Sequence, residues 1–186
     1  MDPMAIIDKY YPSGSELNRI LVDHSRQVAE KSLEIARTLA DPDLDLLFIE
    51  QAALLHDIGI FLTDSPKLGC SGDAPYVCHG YLGRELLDSE GLDPAYGQVA
   101  ERHTGAGISL DTIHRHKLPL PRRDMVPVTL AEKIICCADK FFSKTGPARH
   151  RPRTVPQVIA DLTAVDPSHA RRFARWAQDF KLESID

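Results

Sequence analysis

Several protein classes are excluded by what this sequence lacks. Four cysteines (Cys70, Cys78, Cys136, Cys137) are too few for a disulfide framework in 186 residues. Cys136 and Cys137 sit side by side in a helical pattern, where packing is the expected role. No apolar run is long enough to span a bilayer. The opening MDPMAIIDKYYP has no basic stretch followed by an apolar one, so no signal peptide is expected and the expected location is cytoplasmic. Basic charge is in deficit, with a formal net charge of −5. That disfavours nucleic acid as a partner. There is no internal repeat, no low-complexity tract and no segment alternating at period two. The glycine-rich pieces TGAG and SGD lack phosphate-loop spacing and follow no strand. The spacing in CSGDAPYVCH matches no common zinc site.

What remains is helical periodicity in a chain of single-domain length, 43% hydrophobic. Residues 15–39 read as one long helix with Leu17, Ile20, Leu21, Val28, Ile35 and Leu39 on one stripe. A second runs over 43–57, with Gly59 where a left-handed cap would fall. Residues 63–77 are rich in Gly, Pro, Asp and Ser and read as a surface loop. Short helices follow at HGYLGRELLDSEG, at 94–104 and at SLDTIHRHK. After the extended LPLPRRDMVP, a long helix is predicted over 129–144. A basic, proline-rich connection leads to two last helices, 155–165 and 167–180. RHRPR and RRFARW read as a solvated linker and a helix face. The predicted fold class is all-α, a single-domain irregular helical bundle. Its expected parts are an N-terminal extension (1–14), a helical core (15–146) and C-terminal helices packed on it (147–186).

The polar residues inside this apolar pattern need partners. His24 shares the stripe of Leu17, Ile20, Leu21, Val28 and Ile35. His56 and Asp57 end AALLHDIGIF, a helix apolar nearly all round. They differ by about 100° on a helix, so they can meet one ion only because the helix stops there or because they use different ligand positions. Asp139 lies on a helix greasy on both sides, which places it centrally. His79 opens one short helix and His103 ends another. Four imidazoles and two carboxylates suit Fe, Mn, Zn, Ni or Co, with magnesium also compatible, and need no cysteine. Two ions sharing one carboxylate would use all six.

This pattern, with LLHDIG at its centre, resembles the HD superfamily of metal-dependent phosphohydrolases, in particular its small HDIG-type domains. The resemblance covers residues 24–144. It implies that His24, His56, Asp57 and Asp139 form a metal site, with EKIICCADKF similar to the family's last ligand helix. CHGYLG and ERHTGAG resemble the segments that add His79 and His103 in two-metal members. The implied activity is hydrolysis of a phosphate ester, either mono- or diester, with a nucleotide or related small phosphorylated metabolite as substrate. Asp57 is the expected bridging ligand, able to orient an attacking hydroxide.

A phosphate also wants cations. Arg26, Lys31, Arg102, Lys133 and Lys140 lie near the ligands in sequence, and Lys140 and Arg26 are the expected catalytic pair beside Asp57. Two other classes use the same ligand types: a di-iron oxygenase on the same fold, and a non-catalytic metal- or ligand-binding module. A homodimer is compatible with all three.

Overall fold

The structure is a computed structural model that describes residues 1–146, 149 and 151–182. Residues 147, 148, 150 and 183–186, all within the predicted C-terminal part, lie outside the described residues. Among those described there are nine α-helices: α1 (Pro3–Tyr10), α2 (Glu16–Leu39), α3 (Leu46–Leu55), α4 (His79–Ser89), α5 (Pro94–Arg102), α6 (Leu110–His116), α7 (Leu130–Asp139), α8 (Val155–Val165) and α9 (Pro167–Asp179). The all-α expectation holds.

Local sequence sets most helix starts. Ser15, Asp45 and Thr129 each accept a hydrogen bond from the backbone N–H three residues on, which opens α2, α3 and α7. Thr154 and Gln157 form a reciprocal capping box at the start of α8. The apolar stripe of α2 then packs on α3 and α7, while α4 packs with α5 and α8 with α9. Helix α7 is central: Ile134, Ile135, Cys136, Cys137 and Ala138 are all fully buried. Burying such a stripe removes about 25 cal/mol of apolar hydration per Å², far more than helix propensity supplies.

The N-terminal segment carries helix α1, with Ile7 and Tyr11 fully buried, and Tyr11 Oη donates to the Ile58 carbonyl at 2.8 Å. Three expectations are corrected. Residues 63–77 hold three very short strands, β1 (Thr63–Ser65), β2 (Cys70–Ser71) and β3 (Ala74–Pro75), in the order β2-β1-β3. β1 runs antiparallel to β2 and parallel to β3, and Thr63, Leu68 and Cys70 are buried beneath them. Gly59 is not left-handed, since its φ is −84°. Its need for glycine is space: a Cβ there would lie 2.3 Å from the His79 carbonyl oxygen and 2.4 Å from the Gly83 nitrogen. The helix predicted to reach residue 144 ends at Asp139, because Lys140, Phe141 and Phe142 bond three residues back instead of four.

Candidate metal centre

Six polar side chains from five elements meet between α2, α3, α4, α5 and α7. His24 comes from the buried face of α2, His56 and Asp57 from the end of α3, and His79 from the first position of α4. His103 follows the last residue of α5, and Asp139 is the last residue of α7. All six are buried. The turn after Leu55 solves the 100° problem: Ile58 and Ile60 donate to the carbonyls of Leu55 and Asp57, tightening the backbone so that both side chains face inward.

The Asp57 carboxylate stands in the middle. Its Oδ2 lies 3.2 Å from His24 Nε2 and 3.1 Å from His56 Nε2, and its Oδ1 lies 3.3 Å from His79 Nε2 and 3.2 Å from His103 Nε2. Asp139 Oδ1 adds 2.9 Å to His24 and 3.6 Å to His56. Two donor groups result, His24–His56–Asp57–Asp139 and Asp57–His79–His103, each with its ligand atoms within 4.8 Å of one another.

The imidazoles are locked from behind. Nδ1 of His56, His79 and His103 faces the carbonyl oxygens of Ala53, Tyr76 and Ala100 at 2.6, 2.7 and 2.7 Å. A carbonyl only accepts, so each Nδ1 carries the proton and donates it, leaving Nε2 with a lone pair in the neutral ring. His79 and His103 therefore point two lone pairs at each other across 3.0 Å. Among the described residues His56 Nε2 and both Asp57 oxygens are buried without a hydrogen bond, and only Oδ2 has an ammonium beside it, that of Lys144 at 2.7 Å. Such an arrangement is costly unless a cation sits among these atoms, so the residues fit a metal well.

Neighbouring charges shift the titratable groups of the cluster in different directions. Burial alone would raise the Asp57 and Asp139 carboxyls, but neighbouring His56, Lys140 and Lys144 hold both well below the ordinary range. Burial would lower His56, and the two carboxylates outweigh it and raise it instead. His103 is pushed down mainly by burial, so its imidazole is neutral.

The candidate cations separate. Lys140 Nζ lies 2.5 Å from Asp139 Oδ2. Arg26 is exposed on α2 with no hydrogen bond or ion pair among the described residues, two residues past His24 and so on another side of the helix. Lys31 pairs with Glu34 and lies over the Phe141 ring, and Arg102 pairs with Glu132. Lys133 is partly buried on α7 without a place in the cluster. Lys144, absent from the predicted set, sits 2.7 Å from Asp57 Oδ2. On a continued helix it would be about 140° from Asp139, and the end of α7 is what turns it back. Cys70 and Cys78 instead approach the carbonyls of Ser65 and Pro119. Among the described residues no cysteine belongs to a metal-competent group.

The HD domain family matches residues 21–143, and the chain belongs to that family. An uncharacterised protein of Methanocaldococcus jannaschii is 33% identical over 127 residues, 67% of this chain and 68% of that one. Two tRNA (cytidine(56)-2'-O)-methyltransferases also match, from Thermoplasma volcanium (30% over 142 residues) and Picrophilus torridus (32% over 141). The matches cover 76% and 73% of this chain but only 37% and 38% of those enzymes. Among solved structures, the HD domain of the Listeria monocytogenes phosphodiesterase PgpH aligns with a TM-score of 0.55 and 15% identity over 98% of both chains, which shows a shared fold.

Proposed function

We propose that the protein is a metal-dependent hydrolase of a phosphate ester of a small metabolite, with nucleotides the first class to screen. The observation that carries this reading is the Asp57 carboxylate, whose two oxygens face two separate histidine pairs. His24, His56, Asp57 and Asp139 would hold one divalent transition metal, and Asp57, His79 and His103 a second. Fe, Mn, Zn, Ni and Co all suit these donors. Metals bound there supply Lewis acidity toward a phosphoryl oxygen and an activated water near neutral pH.

The chain's own residues do the rest. The backbone carbonyls behind His56, His79 and His103 fix each ring in one tautomer. Asp57, held ionised, orients the attacking group between the two donor sets. Lys140 and Lys144 bring ammonium groups to the non-bridging phosphoryl oxygens. Ala52, Ile58 and Cys136, within four residues of the ligands in sequence, are buried apolar side chains.

The test is elemental analysis of protein purified without added metal, followed by a phosphate-release screen with the metal found. The expected result is bound metal, turnover on a phosphate ester, and loss of both in His56→Ala. Absence of bound metal together with no activation by any divalent ion would refute the reading. Oxygen uptake by an iron-loaded protein without phosphate release would assign it to the oxygenase class.

A further inference from the structure

A cavity of about 250 Å³ opens beside Asp139, and its two walls differ in chemistry. One wall carries Lys140 and Lys144. The other is α8, which presents Val158, Leu162 and Val165. Helix α8 lies beyond residues 21–143, so this wall is not part of the family-matched region. Val165, at 69% exposure, leaves an apolar side chain accessible at the cavity's edge.

We infer that this cavity makes the protein selective for a compact phosphomonoester dianion whose organic part is uncharged and apolar, seated on Val158, Leu162 and Val165. This deepens the hydrolase reading and rests on it. The charge argument runs through the cavity's own residues. Arg153 and Asp161 both line it and pair with each other at 3.1 Å, so they cancel. Arg153 also donates to the carbonyls of Lys140 and Phe142, bracing the end of α7. That leaves the two ammonium groups of Lys140 and Lys144, whose carboxylate neighbours are the proposed metal ligands. Both are paired with those carboxylates, at 2.5 Å to Asp139 and 2.7 Å to Asp57, and with divalent ions bound the positive charges outnumber the two carboxylates, which favours a doubly charged phosphoryl group over a singly charged diester. The volume falls below the range of about 300–1,000 Å³ typical of sites that enclose drug-sized molecules, which favours a compact ligand. The apolar α8 side chains give the organic part a surface to bury, and the other charges that line the cavity, Arg153 and Asp161, are already taken up by each other.

The test is calorimetric binding to the metal-loaded protein, with phenylphosphonate, its monomethyl ester and inorganic phosphate as probes, at a pH where phenylphosphonate is a dianion. Phenylphosphonate is expected to bind at least about tenfold tighter than its ester. Val165 is exposed, so Val165→Asn, which adds no charge, keeps the fold. It should weaken phenylphosphonate roughly threefold and change inorganic phosphate less than about twofold. Equal binding of ester and dianion, or unchanged phenylphosphonate binding in Val165→Asn, overturns the inference. If phosphate is released from esters while the ester probe binds as well as the dianion, the ligand class fails and the hydrolase reading stands. If the predicted binding pattern holds but no ester is hydrolysed, the hydrolase reading fails and the ligand class stands.

Discussion

Substituting Gly59 by alanine tests the link between fold and metal centre more directly than removing a ligand. Gly59 has φ −84°, which alanine adopts without strain, so only sterics change. The added Cβ would lie 2.3 Å from the His79 carbonyl oxygen and 2.4 Å from the Gly83 nitrogen, both backbone atoms on α4. Reaching an ordinary 3.4 Å contact from 2.3 Å requires α4 to retreat by about 1.1 Å. His79 is the first residue of α4 and moves with it, away from Asp57 Oδ1 at 3.3 Å. The group formed by His24, His56, Asp57 and Asp139 does not use α4. Gly59→Ala should therefore lose the ion held through His79 and keep the other, taking metal content from two ions per chain to one. Overpacking of this kind costs about 1–3 kcal/mol, a fall in Tm of roughly 2–12 °C for a domain this size. Elemental analysis with calorimetry and thermal melts read both effects. Two ions retained at native affinity with an unshifted Tm would refute the claim that this glycine sets the distance between α4 and Asp57.

Three further outcomes follow from the same contacts. Asp57→Asn removes the carboxylate common to both donor groups, so both ions should be lost and phosphate release should fall more than about 100-fold; retention of one tightly held ion would contradict the shared role. Because the donors converge only in the folded chain, chelation should lower Tm, by roughly 5–11 °C if free metal had stood at about 100 times its Kd, and melts with and without chelator check this. Asp166 caps α9 by accepting from the Ser168 N–H at 2.7 Å, and that bond chiefly holds its carboxyl down to about 2. Asp166→Ala should cost about 1 kcal/mol at neutral pH. A carboxyl lower in the folded than in the unfolded chain stabilises above about pH 4, so the gap between the two proteins in urea titrations should close as pH falls toward 2.

The six residues that converge were all legible, for a physical reason. Each is a polar group set into a strongly apolar helical pattern, as His24 is on the α2 stripe and Asp139 on α7, or stands at a helix end, as His56, Asp57, His79 and His103 do. Burial without a partner is a signal that periodicity alone can carry. What was not legible depended on where regular structure stops. Strands of two and three residues are too short to show alternation, so the small sheet over 63–75 read as a loop. Helix α1 hides for a similar reason, since eight residues with only Pro3 and Ile7 buried give little period to read.

Lys144 shows the same limit at the centre of the site. Sequence periodicity continued α7 through residue 144, which would turn this lysine about 140° away from Asp139. The three-residue turns after Asp139 break that phase and bring its ammonium to 2.7 Å from Asp57. Arg26 fails in the opposite sense: it lies close to His24 in sequence, but α2 does not stop there, and the unbroken helix carries it to the exposed side. Proximity in sequence is informative about a site only where the helix ends within those few residues. In this chain, that condition separates the lysine that reaches the carboxylates from the arginine that does not.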